Sequence, residues 1–465
     1  MSSLLASGPK ATPIWFVNLA MWSSVRKAMP ASGVKFADAS GFKPSSGRVL
    51  TFPAANGEVG GVLLGVEADD ATFRDPLLPG KLVTILPAGV YRFGNEPAGG
   101  KRALELAVLS WALAAYRFGR YKKSAAAFPQ LVCPKGVDAK RIERIAASVT
   151  MTRDLVNTPA NDMGPDALEK AALGLAKAYR AKVKVIRGPA LLRQNFPLIH
   201  AVGRASVQPP RLVDFTWGPP KGPKITLVGK GVCFDTGGLD IKPSSAMLMM
   251  KKDMAGAATV LGLARMIMDA KLPVRLRVLL PIVENSVSGD AFRPGDIYRS
   301  RKGLTVEIGN TDAEGRLILA DALALADEEA PDLLVDMATL TGAARVALGP
   351  DLPPFYATDE NFAADIARHG MAVHDPMWRL PLWDPYDSLL DGKISDINNV
   401  SAGPFAGSIT AALFLRRFVS RAKSWAHFDI YAWNPSTKPG RPEGGEAQIS
   451  RALFDLLETR YGKAR

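Results

Sequence analysis

Residues 310–317 read NTDAEGRL, which places two carboxylates, Asp312 and Glu314, and one guanidinium, Arg316, within five residues. An apolar run with strand character, 304–308, precedes them, and a helical pattern over 317–327 follows. The charged residues are therefore expected on a strand-to-helix turn, where open α/β sheets place their active sites. In an extended turn, residues two apart point the same way, so both carboxylates can face one point. Two anions aimed at one point repel unless a cation stands between them, which points to a metal. The octapeptide has a second reading. Thr311-x-x-Glu314 also fits a helix capping box. Asp312 would then favour the helix start by its charge, and Arg316 would be a solvated surface residue. These eight residues alone leave both readings open.

A second cluster shifts the balance. Residues 230–253 read KGVCFDTGGLDIKPSSAMLMMKKD. Lys230 and Asp235 follow the apolar run 225–228, and Gly229, Gly231, Gly237 and Gly238 let backbone approach a ligand closely. Lys242 lies on the same loop, and Asp253 stands just before a strong helical pattern at 255–269. A polar loop with surface lysines is the plain alternative. A phosphate loop is excluded, because Gly231 follows Lys230 where Ser or Thr is required. The segment GNEPAGGK at 94–101 fails the same test on spacing, with Arg102 in the Ser/Thr position. Asp235, Asp253, Asp312 and Glu314 thus supply four carboxylates, most of them near C-terminal strand ends of what should be one sheet. Carboxylate-rich sites suit hard divalent ions, and a bridging carboxylate suits two ions about 3.5–4 Å apart. The four histidines, His200, His369, His374 and His427, form no HExxH, which excludes a zincin site.

The elements around these loops alternate. Candidate strands at 184–187, 198–202, 212–217, 225–228, 275–283, 332–338 and 426–432 are interleaved with helical patterns at 162–179, 255–269, 317–327, 407–421 and 446–461. That alternation predicts an α/β sheet, mostly parallel, with helices on both faces. A smaller α/β domain is expected at 1–134, with strands at 48–52, 61–66 and 82–86 and a helix at 103–115. The charged stretch 135–156 reads as a linking helix broken at Asn157-Thr158-Pro159, which gives a division into 1–134, 135–160 and 161–465.

The chain's 465 residues are 47% hydrophobic and 22% charged, which excludes a disordered protein. No run of about 18 apolar residues occurs, so no membrane span is expected. The N-terminus lacks a basic segment followed by a continuous apolar stretch, so a secretory signal is not expected. Two cysteines, Cys133 and Cys233, exclude a disulfide framework and a multi-cysteine zinc site, and fit a reducing cytoplasm. The net charge of +13 leaves nucleic-acid binding open as a second role without predicting it, because the basic residues are spread along the chain.

VGKGVCFDTGGLDIKPSSAM, MKKDMAGAA and NTDAEGRLILADAL resemble the signature segments of the leucyl aminopeptidase family of dinuclear metallopeptidases. NTPANDMGP at 157–165 and WAHFDI at 425–430 resemble it too. The resemblance covers residues 150–465, and the N-terminal third fits in size and α/β character. It implies an aminopeptidase that releases N-terminal residues from short peptides. One metal would be held by Lys230, Asp235, Asp253 and Glu314. The other would be held by Asp235, Asp312, Glu314 and the Asp312 carbonyl. Manganese or zinc is implied, with magnesium and cobalt as alternatives. Lys242 and Arg316 stand at the catalytic positions, Lys242 as electrophilic stabiliser and Arg316 as holder of a bicarbonate that serves as general base. Lys230 is expected to have a depressed pKa beside two dications. Lys242, Met250, Asp253, Thr339 and Gly342 would contact substrate. Tyr431 stands where many members carry a small residue, so a leucine preference is not assumed. The resemblance further implies a cytoplasmic homohexamer with sites facing an interior cavity, and some members of the family also bind DNA.

Overall fold

The computed structural model describes residues 3–5, 7–8, 10–122 and 127–462. The chain divides into two compact units: Met1–Thr150 with Ser436–Glu443, and Met151–Pro435 with Gly444–Arg465. The division falls inside the long helix Ala139–Asn157.

The first unit is built on a six-stranded sheet in the order Leu4–Leu5, Gln130–Val132, Val90–Phe93, Thr12–Val17, Val59–Gly65, Val49–Pro53. All neighbours are parallel except the last pair. Trp15, Val17, Phe52 and Leu63 from the sheet pack with Val25, Met29, Ala37 and Phe42. Residues 82–86 are not a strand. They enter the helix Leu82–Ile85 directly after a 3-10 turn at Leu78–Lys81. Leu82, Val83 and Leu86 are buried while Ile85 is exposed, which is helical spacing rather than alternation.

The second unit carries the larger sheet, in the order Trp378–Arg379, Pro354–Ala357, Trp425–Asp429, Leu333–Ala338, Lys224–Gly229, Arg275–Asn285, Arg211–Trp217, Lys182–Arg187. The centre is parallel, and antiparallel pairs occur toward the two edges. Leu333–Ala338 is buried along its whole length, as a parallel strand covered on both faces must be. Arg275–Asn285 is long enough to pair twice, first with Lys224–Gly229 and then, beyond a break at Lys230, with Gly231–Asp235. The helix Ala255–Asp269 starts hard against this break. A Cβ on Gly256 would lie 2.1 Å from the Met337 carbonyl oxygen, so only glycine allows the approach.

Two expectations for this unit fail. Residues 198–202 form the helix Pro197–Gly203, with proline at its first turn and the Asp321 carboxylate accepting from the Leu198 and Ile199 amides at 2.8 and 3.3 Å. The strand before the NTDAEGRL turn, Thr305–Glu307, is not in the main sheet. It belongs to a small sheet with Ile297–Arg299 and Ile397–Asn398. The helix after the turn is also longer than expected, Glu314–Asp327, and Glu314 is its first residue.

Candidate active site

Asp235 ends its strand facing the start of the helix Glu314–Asp327. One oxygen accepts from the Gly237 amide and from Asn285 Nδ2, both at 2.9 Å. The turn after the small sheet is tied to the same place. Thr311 Oγ1 donates to the Gly237 carbonyl at 2.6 Å, and the Thr311 amide donates to Asp240 at 2.7 Å. Thr311 is therefore a lock between the two loops. No capping box forms: the helix N-cap is Ala313, without a side-chain cap.

These locks bring ligand atoms of Asp235, Asp312 and Glu314 within 4.8 Å of one another. Burial, and then the Asp235 charge, push the Asp312 carboxyl up to about 6. The same two causes raise Glu314, which is 1% exposed, well above the usual carboxylate range. Two lysines meet this negative charge. Lys230 Nζ lies 2.8 Å from Glu314 Oε1 and 2.9 Å from Asp253 Oδ2, and donates to the Thr339 carbonyl at 2.9 Å. Lys242 Nζ lies 2.8 Å from Asp235 Oδ2 and also pairs with Asp312. Burial works against both ammonium groups, but the surrounding carboxylates outweigh it and both pKa values are raised. The depressed pKa expected for Lys230 thus belongs to a site in which dications, rather than carboxylates alone, face the amine. Asp253 also accepts from Thr339 Oγ1 at 2.7 Å.

The donor set fits divalent ions. Asp253 Oδ2, Asp312 Oδ1 and Glu314 Oε1 are buried and have ammonium neighbours, but no aligned hydrogen bond. Buried carboxylate oxygens that face one another, as those of Asp312 and Glu314 do with Asp235, are what hard cations bind. Arg316 is buried as well. Its Nη1 donates to the Asn399 carbonyl at 2.7 Å, while Nε has no partner. Burial lowers its pKa to about 10, still cationic at neutral pH.

Lys242, Asp235, Asp253, Asp312 and Arg316 line one cleft of about 580 Å³ with Met250, Thr339 and Gly342. Lys230 and Glu314 are buried beside these lining groups, Lys230 through its pair with Asp253 and Glu314 through its approach to Asp235 and Asp312. All the residues singled out in the sequence are thus brought together. Three further residues organise the cleft; Asn285 and Asn399 carried no sequence signal, and Asp429 lay within the WAHFDI segment without being singled out. Asn285 holds Asp235 and the Thr311 carbonyl. Asn399 accepts from the Gly309 and Asn310 amides and donates to the Asn310 carbonyl. Asp429 accepts from the Leu340 and Thr341 amides and from the Thr341 and Ser408 hydroxyls, which fixes the wall at 339–342.

Comparison with known proteins places this arrangement. Residues 150–454 match the cytosol aminopeptidase family, catalytic domain, and residues 13–134 match the M17 aminopeptidase, N-terminal domain. A protein of Syntrophotalea carbinolica, named as a probable cytosol aminopeptidase, is 38% identical over 451 residues, covering 90% of each chain. The crystal structure of cytosol aminopeptidase from Coxiella burnetii has a TM-score of 0.94 at 45% identity, covering 99% of each chain. The bottromycin maturation enzyme BotP in complex with Mn has a TM-score of 0.86 at 32% identity, covering 97% of this chain and 99% of that one.

Proposed function

Since this chain belongs to the cytosol aminopeptidase family and is a metal-dependent peptide hydrolase, we propose that it releases the first residue of short peptides at the cleft around Asp235, Asp312 and Glu314. The convergence of these three carboxylates within 4.8 Å is the observation that supports a two-metal centre most directly. One ion would be held by Lys230, Asp235, Asp253 and Glu314, the other by Asp235, Asp312 with its carbonyl, and Glu314. Manganese or zinc suits these donors, with magnesium and cobalt as alternatives. When bound, such a pair supplies a hydroxide at neutral pH and a grip on the free α-amine and the scissile carbonyl.

The chain's own groups do the rest. Lys242 projects into the cleft, and its ammonium stabilises the negative charge that develops on the carbonyl oxygen. Arg316 is held on one side by Asn399 and keeps Nε for an anion. Bicarbonate fits that fork bidentately and would supply the base that the cleft otherwise lacks. Met250, Thr339 and Gly342 line the space for the first side chain, with Asp429 fixing the backbone of that wall. Assembly as a homohexamer in the cytoplasm belongs to the same proposal, and light scattering on the purified protein tests the assembly. Among the described residues, no helix is long and apolar enough to cross a membrane.

The test is hydrolysis of aminoacyl-anilides by metal-stripped protein, with each divalent ion returned separately. Metal-dependent release from free-amine substrates but not from N-acetylated ones is expected. Full activity in excess chelator after prolonged dialysis overturns the proposal.

A further inference from the structure

One wall of the cleft carries positive charge that peptide-bond hydrolysis does not use. Lys252 is 5% exposed, and its ammonium has no hydrogen bond or ion pair among the described residues. What it touches is the Tyr431 ring, with Nζ 4.8 Å from the ring centroid. The Arg345 guanidinium also packs on that ring, at 5.3 Å, and has no carboxylate partner among the described residues either. The neighbouring Lys251, by contrast, donates to the Asn157 carbonyl at 2.8 Å. Lys252, Arg345 and Tyr431 line the cleft beside Met250, Thr339 and Gly342.

An ammonium at the end of a mostly buried side chain, with no acceptor of its own, is poorly solvated, and a phenol face compensates only in part. The two nearest carboxylates are already engaged. Asp253 faces Lys230 and Thr339, and Asp429 holds the 340–341 backbone and two hydroxyls. The remaining partner of this ammonium comes from the cleft that it lines, as solvent or as an anion that reaches past Met250 and Thr339, and in so confined a wall the anion is the stronger of the two.

We infer that this wall recognises a carboxylate on the substrate's first side chain, so that the enzyme prefers peptides beginning with Glu or Asp. The inference rests on the hydrolysis proposed above and names its substrate class. The C-terminal carboxylate of a short peptide has the same chemistry. The position of Lys252, two residues from Met250 and one from Asp253, puts it beside the first residue.

The experiment compares Glu- and Gln-p-nitroanilide, which differ by charge at nearly constant shape and have no C-terminal carboxylate. Leu-p-nitroanilide reports hydrolysis itself, and Gln-Gly against Gln-Gly-amide reports the other source. The metal-loaded enzyme should favour Glu over Gln by about tenfold or more in kcat/KM, the discrimination expected of a charge-assisted contact. Lys252→Met should erase most of that ratio, and Arg345→Met a smaller part of it, because Arg345 is exposed to solvent. Lys252→Met exchanges a buried cation for an apolar chain of similar length, a change that folds accept. Arg345 lies on an exposed helix surface, so its variant keeps the test open in any event. Metal-dependent cleavage of Leu-p-nitroanilide without a Glu preference, or with a Glu/Gln ratio unmoved by Lys252→Met, overturns this inference alone. A Lys252-dependent preference for Gln-Gly over its amide overturns the assignment to the first side chain. No turnover of any free-amine anilide overturns the hydrolysis and this inference with it.

Discussion

At the scale of single residues, the site depends on groups that have no side chain to spare. Gly315 sits between the two helix-start residues Glu314 and Arg316, and a Cβ there would lie 2.6 Å from Lys230 Nζ and 2.7 Å from Lys230 Cε. Lys230 is buried and cannot swing away, so Gly315→Ala should displace its amine from Glu314 and Asp253. A displacement of about 1 Å at a reacting constellation costs roughly a hundredfold in rate. Anilide hydrolysis should fall by about that factor. Gly174→Ala is the control: it lies in the helix Pro165–Ala178 with open space around it, and should leave the rate alone while adding about 0.5–1 kcal/mol of stability. Equal rates for both variants would show that the Lys230 amine need not be held in place. Arg316 makes the second residue-scale prediction. In bicarbonate-free buffer the wild type should lose activity and regain it when bicarbonate is added. Arg316→Ala should be slowed by about 10²–10⁴-fold and should not respond to bicarbonate, because the fork proposed to hold it is gone. A variant that still responds would place the anion elsewhere.

At the scale of elements, one helix organises the catalytic unit. Glu314–Asp327 starts at the carboxylate cluster, and farther along it Asp321 accepts from the backbone amides of Leu198, Ile199 and Arg301. That carboxyl joins three separate segments. Asp321→Ala leaves two buried donors and one partly buried donor without an acceptor, each buried one worth about 1–3 kcal/mol, so a loss of about 2 kcal/mol or more is expected in urea unfolding. Burial raises the Asp321 pKa to about 7 against the pull of those donors, from an unfolded value of 3.8. Between these two values the folded chain binds more protons than the unfolded one. The stability that Asp321 adds is therefore full at low pH and fades as pH rises through 7. The variant should lose more stability at pH 5 than at pH 8; the reverse order would mean that the carboxylate form is the stabilising one. This helix also shows what the sequence could reveal. Its apolar period and the charges at its start were legible, because both are local patterns. The helix Pro197–Gly203 was not, because a short apolar run fits a strand equally well, and the Asp321 contact that holds it lies over a hundred residues away. Asn285 and Asn399 stayed hidden for the same reason. A lone asparagine has no pattern, and its role is set by a loop that only the fold brings near.

At the scale of the whole molecule, the cluster of carboxylates couples metal binding to folding. Asp235, Asp312 and Glu314 converge within 4.8 Å, and among the described residues their ion pairs are with Lys230 and Lys242. An ion that binds this folded arrangement and not the unfolded chain stabilises it by about 2.7 kcal/mol at a hundred times its Kd. Adding manganese to metal-stripped protein should therefore raise Tm by a few degrees, and the rise should grow with the logarithm of concentration. Glu314→Gln separates this from a general salt effect. Glutamine keeps the shape of the side chain and removes one of the converging negative charges, while Lys230 keeps Asp253 as its partner. The metal-free variant should therefore melt at or above the metal-free wild type. It should also lose most of the rise, because the donor proposed to serve both ions has lost its charge. Differential scanning calorimetry with and without manganese reads both halves. A variant that melts well below wild type without metal would show that the pair between Glu314 and Lys230 stabilises the fold more than the repulsion among carboxylates strains it. An unchanged manganese response would place the ions away from Glu314.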